Sequence, residues 1–226
     1  NHDFAWSLDE LLDFTADPHA VVLSANHHPV AAEPRWHAEE AHVLQVGCVR
    51  VGFLGLTSTP WDERDQVIHE PFYPELTANY DYAAEARRVI DAHRGEADIW
   101  VAVDHIGQSD DEALARAVPD LDVVLSGHSH TYTPSPVSAG SAVVIQSGSF
   151  AQFVVRLDVD VDLATHAVTT AHYATQLVAN EPPSREVEAS WYVHATVGVA
   201  AATSTTSMPR PSRPPDASVA QPTSAT

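Results

Sequence analysis

The spacing of apolar residues divides the chain into alternating helices and strands. Leu8, Leu11 and Leu12 share one side of a short predicted helix over 8–14. The apolar run 20–25 has the length and composition of a buried strand. Two apolar runs, 43–46 and 49–56, flank Gly47-Cys48, which predicts a hairpin. Over 79–94, Ala83, Ala86, Val89, Ile90 and His93 fall on one helical face, and Gly95 supplies the stop. A strand over 98–103 runs directly into Asp104-His105-Ile106-Gly107. A short helix over 110–117 and a buried strand over 121–125 then lead into Gly127-His128-Ser129-His130. Residues 142–146 form a further strand. Val155, Leu157, Val159 and Val161 alternate with Arg156, Asp158, Asp160 and Asp162, the period of a half-exposed strand. Its predicted partner is 167–178, across Ala164-Thr165. Strands interspersed with helices predict a layered α/β or α+β domain.

The periodicity fades toward the end. From about residue 200 onward Ser, Thr, Pro and Ala dominate, and such a segment buries too little apolar area to offset its ordering entropy. The expected division is a domain over 1–190, closing after Pro182-Pro183, and a disordered tail over 191–226.

Composition narrows the possible functions. Hydrophobic residues make up 44% of the 226, as in globular proteins, and no run approaches the ~18 apolar residues of a membrane span. The formal charge is -20, from 31 acidic residues against 11 basic ones, all of them Arg. A surface this acidic repels nucleic-acid duplexes and anionic lipid. It suits a halophilic protein, in which carboxylates hold hydrated cations, better than an ordinary acidic protein from a GC-rich gene. The single cysteine, Cys48, excludes an internal disulfide. Residue 1 is Asn and the one methionine is Met208, so a processed chain or a fragment is expected. Any signal peptide would lie upstream, which leaves the compartment open.

The chemistry concentrates in three segments: Asn1-His2-Asp3-Phe4, Asp104-His105-Ile106-Gly107 and Gly127-His128-Ser129-His130. The second and third directly follow predicted strands, and open α/β sheets bind ligands at the carboxyl ends of their strands. Imidazole is the commonest metal-binding side chain near neutral pH, and it suits Zn, Mn, Fe or Ni. Of the 14 histidines, the ten outside these segments are assigned to surface, loop or core.

In this order the motifs resemble the calcineurin-like metallophosphoesterases, whose pattern ends in Gly-Asn-His-Asp/Glu, His and Gly-His-x-His. Asn1-His2-Asp3-Phe4, Leu23-Ser24-Ala25-Asn26, the run from Val51 through Gly55 to Thr57, and Gln146-Ser147-Gly148-Ser149 are similar to the 5′-nucleotidase and 2′,3′-cyclic phosphodiesterase branch. The resemblance covers roughly residues 1–180. It implies a layered αββα sandwich lacking its first strands, and hydrolysis of nucleotide phosphoesters by in-line attack of a metal-bridging hydroxide. It implies two divalent ions in the parent protein (Mn, Zn, Fe, Mg or Ca) and at most one here. Asn1, His105 and His128 would bind one metal and His130 the other, while His2 would stabilise the transition state.

Three departures qualify this. The family's Asp-x-His and Gly-Asp motifs would precede Asn1. Ala5 stands where the branch carries an Asp that orients the catalytic His, which leaves Asp3 or another carboxylate to substitute. Asp104 stands where Thr or Ser is usual, and would either raise metal affinity or repel phosphate. The competing reading is a non-catalytic remnant or binding module with an incomplete metal centre. Expected partners are small phosphoesters or nucleotides, with oligomeric state open.

Overall fold

The computed structural model describes residues 2–5, 7–32, 35–58 and 75–178. Asn1, the expected domain end at Pro182-Pro183 and the tail over 191–226 lie outside the described residues. In chain order the elements are a 3-10 helix His2–Ala5, α1 Leu8–Thr15, β1 His27–Pro29, β2 Ala41–Val46, β3 Val49–Leu54, β4 Leu76–Ala78, α2 Tyr82–Ala92 and β5 Ile99–Val103. There follow α3 Gln108–Ala117, β6 Val123–Ser126, β7 Val137–Ala139, β8 Ala142–Gln146, β9 Phe153–Val161 and β10 Val168–Leu177.

Six strands form the central sheet in the order β2-β3-β5-β6-β8-β7. The inner four are mutually parallel, and the two edges, β2 and β7, run antiparallel to their neighbours. Strand alternation sorts the side chains onto two faces. On one face Leu54, Trp100, Ala102, Val124 and Val144 pack with Ala86, Val89 and Ile90 of α2 and with Leu114 and Ala115 of α3. On the other, Val51, Phe53, Ile99, Val101 and Val123 meet Leu157, Val159, Val161 and Val168 of the β9–β10 hairpin. The described layers are therefore helices, a mixed sheet and a two-stranded sheet. Each fully buried Leu or Val in such a core contributes about 1.5–3 kcal/mol.

Local chemistry sets the helix ends. Ser7 caps α1: its Oγ accepts from the Glu10 N–H while the Glu10 carboxylate accepts from the Ser7 N–H. Asp81 caps α2 through the Ala84 N–H. Gly52 in β3 has a different reason to be glycine. A β-carbon there would lie 2.7 Å from the Trp100 ring, so the indole of β5 occupies the space a side chain would need.

Most predicted elements are present with ends shifted by one to three residues. Two differences have physical causes. The run 20–25 is not a strand: only Leu23 forms a bridge, with Glu39, and Val21 is half exposed. Two hydrogen bonds tie this segment to the single residue Glu39 on one side and one ties it to Gly55 on the other, so no ladder develops. The face of α2 also buries Glu85, which the apolar pattern had left outside. Its carboxylate accepts from Asn79 Nδ2 at 2.7 Å and Arg88 Nε at 2.9 Å, partners that make its burial tolerable. Among the described residues no helix is long and apolar enough to cross a membrane.

Candidate metal site

All four parallel strands end on the same side of the sheet. The loops after β3, β5, β6 and β8 carry Gly55-Leu56-Thr57, Asp104-His105, Gly127-His128 and Ser147-Gly148. Backbone hydrogen bonds stitch these ends together. The His105 N–H donates to Leu56 O at 2.8 Å, the Ser58 N–H to His105 O at 3.0 Å, and the Asp104 N–H to Leu125 O at 2.9 Å. Two distant sequence segments thereby become neighbours. The imidazoles of His105 and His128 meet edge to face with ring centroids 5.2 Å apart.

The loop after β6 is unusual in its backbone. His128 and His130 both have positive φ, 76° and 57°, a region that costs a non-glycine residue about 1–2 kcal/mol. Their alternation turns the two rings to different neighbours. His128 faces His105, and His130 lies against Phe150 at 5.2 Å. Burial lowers the His128 pKa, and nearby positive groups, His2 and His130 among them, lower it further. A neutral imidazole keeps a lone pair available for a metal at neutral pH. His2 lies exposed in the 3-10 helix, and Asp3 belongs to the same turn.

Of the proposed ligands, the structure therefore pairs His105 with His128 and sets His130 and His2 in the surroundings of His128. Asn1 lies outside the described residues. Among the described residues no group of three or more His, Cys, Asp or Glu side chains is arranged to hold a metal.

Gly127 separates the two rings' supports. A β-carbon on it would lie 2.8 Å from His105 Nδ1 and 3.2 Å from Asp104 O. Gly127→Ala is expected to push the His105 ring away from His128 and to lower stability by about 1–3 kcal/mol, the usual cost of overpacking. Loss of the His105–His128 ring-to-ring nuclear Overhauser effect, together with a lower thermal midpoint, is the readout.

The chain is similar to proteins of known class. It is 27% identical over 130 residues, 57% of this chain and 26% of the relative, to the uncharacterized metallophosphoesterase YunD of Bacillus subtilis. It is 31% identical over 152 residues, 61% of this chain and 24% of the relative, to the snake venom 5′-nucleotidase of Crotalus adamanteus. Among solved structures, the sulfate thiohydrolase SoxB of Thermus thermophilus superposes with a TM-score of 0.68 at 20% identity, over 82% of this chain and 34% of SoxB. The 5′-nucleotidase precursor of Thermus thermophilus superposes with a TM-score of 0.61 at 24% identity, over 74% and 36%. By fold and by relatives, this chain resembles the calcineurin-like metallophosphoesterases.

No family model matches the chain. It spans about a quarter of the length of the curated relatives it matches. Metallophosphoesterases are hydrolases, and the superfamily implies divalent metal cofactors.

Three polar residues that frame the site carry no periodic signal. Asn26, fully buried, clamps the loop after β3: its Nδ2 donates to Thr57 O at 2.9 Å, and its Oδ1 accepts from the Thr57 N–H at 3.0 Å. Asp104 and Asp111 form a buried carboxyl pair. Asp104 Oδ1 accepts from the Leu56 N–H at 2.9 Å. Burial and the neighbouring Asp111 push the Asp104 carboxyl well above the usual range, and burial pushes Asp111 up to about 7. Asp104 is thus a buried strut between the loop after β3 and α3. Its position directly before His105 had suggested a role in metal affinity or phosphate repulsion. The burial of Asp111, which supplies its counterpart, was invisible along the chain.

Proposed function

We propose that the natural protein containing this chain hydrolyses phosphate esters of nucleotides at a divalent metal centre that includes His105 and His128. The observation that carries this reading is the contact of those two imidazoles at the ends of adjacent parallel strands. Their donor chemistry fits a borderline divalent cation such as Zn, Mn or Fe, because both offer imidazole nitrogens and burial lowers the His128 pKa. In this reading Asn1 adds a neutral oxygen donor, and His130 serves a second ion.

A bound divalent cation supplies Lewis acidity toward a phosphoryl oxygen. The chain's own residues supply orientation and proton transfer. His105 and His128 are fixed by strand ends, so their positions survive substrate exchange. His2, on an exposed turn near His128, is assigned the leaving oxygen, to which it donates a proton as the ester bond breaks. Ala5 leaves His2 to be oriented by another carboxylate, for which Asp3 is the proposed residue. A formal charge of -20 disfavours polyanionic nucleic acids and leaves small phosphoesters as substrates. The naming of relatives as 5′-nucleotidases supports nucleotides among these.

The test is phosphate release by the natural full-length protein from nucleoside monophosphates supplied with Mn²⁺ or Zn²⁺. Activity is expected to disappear on chelation and to return when metal is restored. No release from any nucleotide or simple phosphoester with either metal sinks the reading.

A further inference from the structure

Gln146 is the last residue of β8, and only 2% of it is exposed. Its carboxamide ends on the loop that carries His128 and His130. Oε1 accepts from the Thr131 N–H at 2.5 Å and from Ser129 Oγ at 3.2 Å. Nε2 reaches Ser126 Oγ at 2.6 Å, Gly127 O at 3.0 Å and Ser129 Oγ at 3.1 Å. The backbone of Gln146 is itself held, its N–H donating to Thr133 Oγ1 and its carbonyl accepting from the same hydroxyl, both at 2.9 Å.

Two consequences follow from this geometry. Left-handed φ at both His128 and His130 prevents the loop from satisfying its own backbone groups in a regular ladder. The carbonyl just before His128 and the N–H just after His130 both terminate on one buried side chain. Ser129, between the histidines, also accepts from the Gln108 N–H at 3.0 Å. Gln108 lies three residues after His105, so a chain of hydrogen bonds runs from Gln146 through Ser129 to the second histidine-bearing loop.

We propose that Gln146 is the positioning residue of the two-histidine loop: its carboxamide, acting through Ser129, locks the left-handed turns that turn His128 toward His105. The consequence for metal binding rests on the reading of His105 and His128 as ligands. Gln146 touches no reacting group. It acts by fixing two rings in a pose that fluctuates without it, and partners of this kind change metal affinity by about 10–100-fold.

The experiment uses the full chain, with Zn²⁺ alone as the probe. Calorimetry measures affinity, and three-bond amide-to-α proton couplings report φ at His128 and His130. Gln146→Leu removes every hydrogen bond, and Gln146→Glu keeps the acceptor for Thr131 while losing the donor to Gly127. Ser129→Ala, at an exposed position, cuts the link to Gln108 without emptying a buried site. Expected results are a 10–100-fold weaker Zn²⁺ affinity for Gln146→Leu, a several-fold loss for Ser129→Ala, and couplings at His128 that leave the left-handed value. In a His105→Ala background Gln146→Leu should cost little more, since the pair is already broken. Unchanged affinity with unchanged couplings overturns the proposal, as does an equal loss in the His105→Ala background. Should Gln146→Leu fail to fold, Gln146→Glu and Ser129→Ala give the same two readouts. If the unaltered chain binds no Zn²⁺, the metal reading is what fails. The couplings then decide the positioning role alone: altered values at His128 uphold it, and retained ones end it.

Discussion

If the proposed reading holds, replacing His128 with Ala is expected to lower metal-dependent phosphoester hydrolysis by the natural protein at least ~100-fold, which corresponds to about 3 kcal/mol of lost transition-state stabilisation. Two features of the structure set this expectation. His128 is the partner of His105 across the strand ends, and burial lowers its pKa. Alanine leaves His105 without its imidazole partner, and the donors that remain in the proposed centre bind a divalent ion more weakly. His172→Ala makes a matched control, because His172 sits on the β10 strand of the outer hairpin, beside Asp160 at 3.6 Å, away from the strand-end loops. Steady-state rates with Mn²⁺ or Zn²⁺ decide the matter. Equal losses for both variants would point to general damage, and unchanged turnover for His128→Ala would remove the histidine pair from the mechanism.

Acid is expected to destabilise the chain by about 3 kcal/mol between pH 6.5 and 4, through His27. This residue is 2% exposed, and both its ring nitrogens lack a hydrogen-bond partner. Its ring packs on Phe4 at 4.6 Å and meets the edge of Tyr80 at 6.1 Å. Burial, reinforced by nearby positive charge, lowers its pKa from 6.5 to about 4. The folded form therefore holds His27 neutral where the unfolded chain protonates it. The unfolded state binds more protons in this window, so stability is full above pH 6.5 and falls as pH drops through 4. The fall from 6.5 to about 4, at about 1.4 kcal/mol for each tenfold change in proton affinity, gives the stated figure of about 3 kcal/mol. His27→Phe keeps the ring volume and removes the titration, so its thermal midpoint should stay flatter over the window. Parallel acid curves for the two proteins would assign the acid limb elsewhere. The Asp104–Asp111 pair acts in the opposite sense: carboxyls raised by burial favour the folded state at low pH and lose that advantage as pH rises through about 7.

Much of the architecture was legible because it depends on local periodicity. The hairpin around Gly47-Cys48, the α2 helix, the strands ending at Val103 and Gln146, and the alternation from Val155 to Val161 all show a repeat that fixes which face is buried. Strands of three residues carry no repeat, so β1, β4 and β7 were missed. The run 20–25 misled because an apolar segment alone does not say whether a neighbouring strand continues alongside it. The segments around His105 and His128 were also legible, since histidines directly after strand patterns stand out by residue type.

Sequence alone determined the layered α/β class, the kinship with metallophosphoesterases and the histidines worth suspecting, because local periodicity and short motifs are written in neighbouring residues. Only the tertiary structure decided that His105 meets His128 while His130 turns to Phe150, that Asn26 clamps Thr57, and that Gln146 and the Asp104–Asp111 pair support the strand ends. Those relations depend on parallel strand order and on φ values at two positions. Both are set by hydrogen bonds between residues far apart along the chain, which no local pattern encodes.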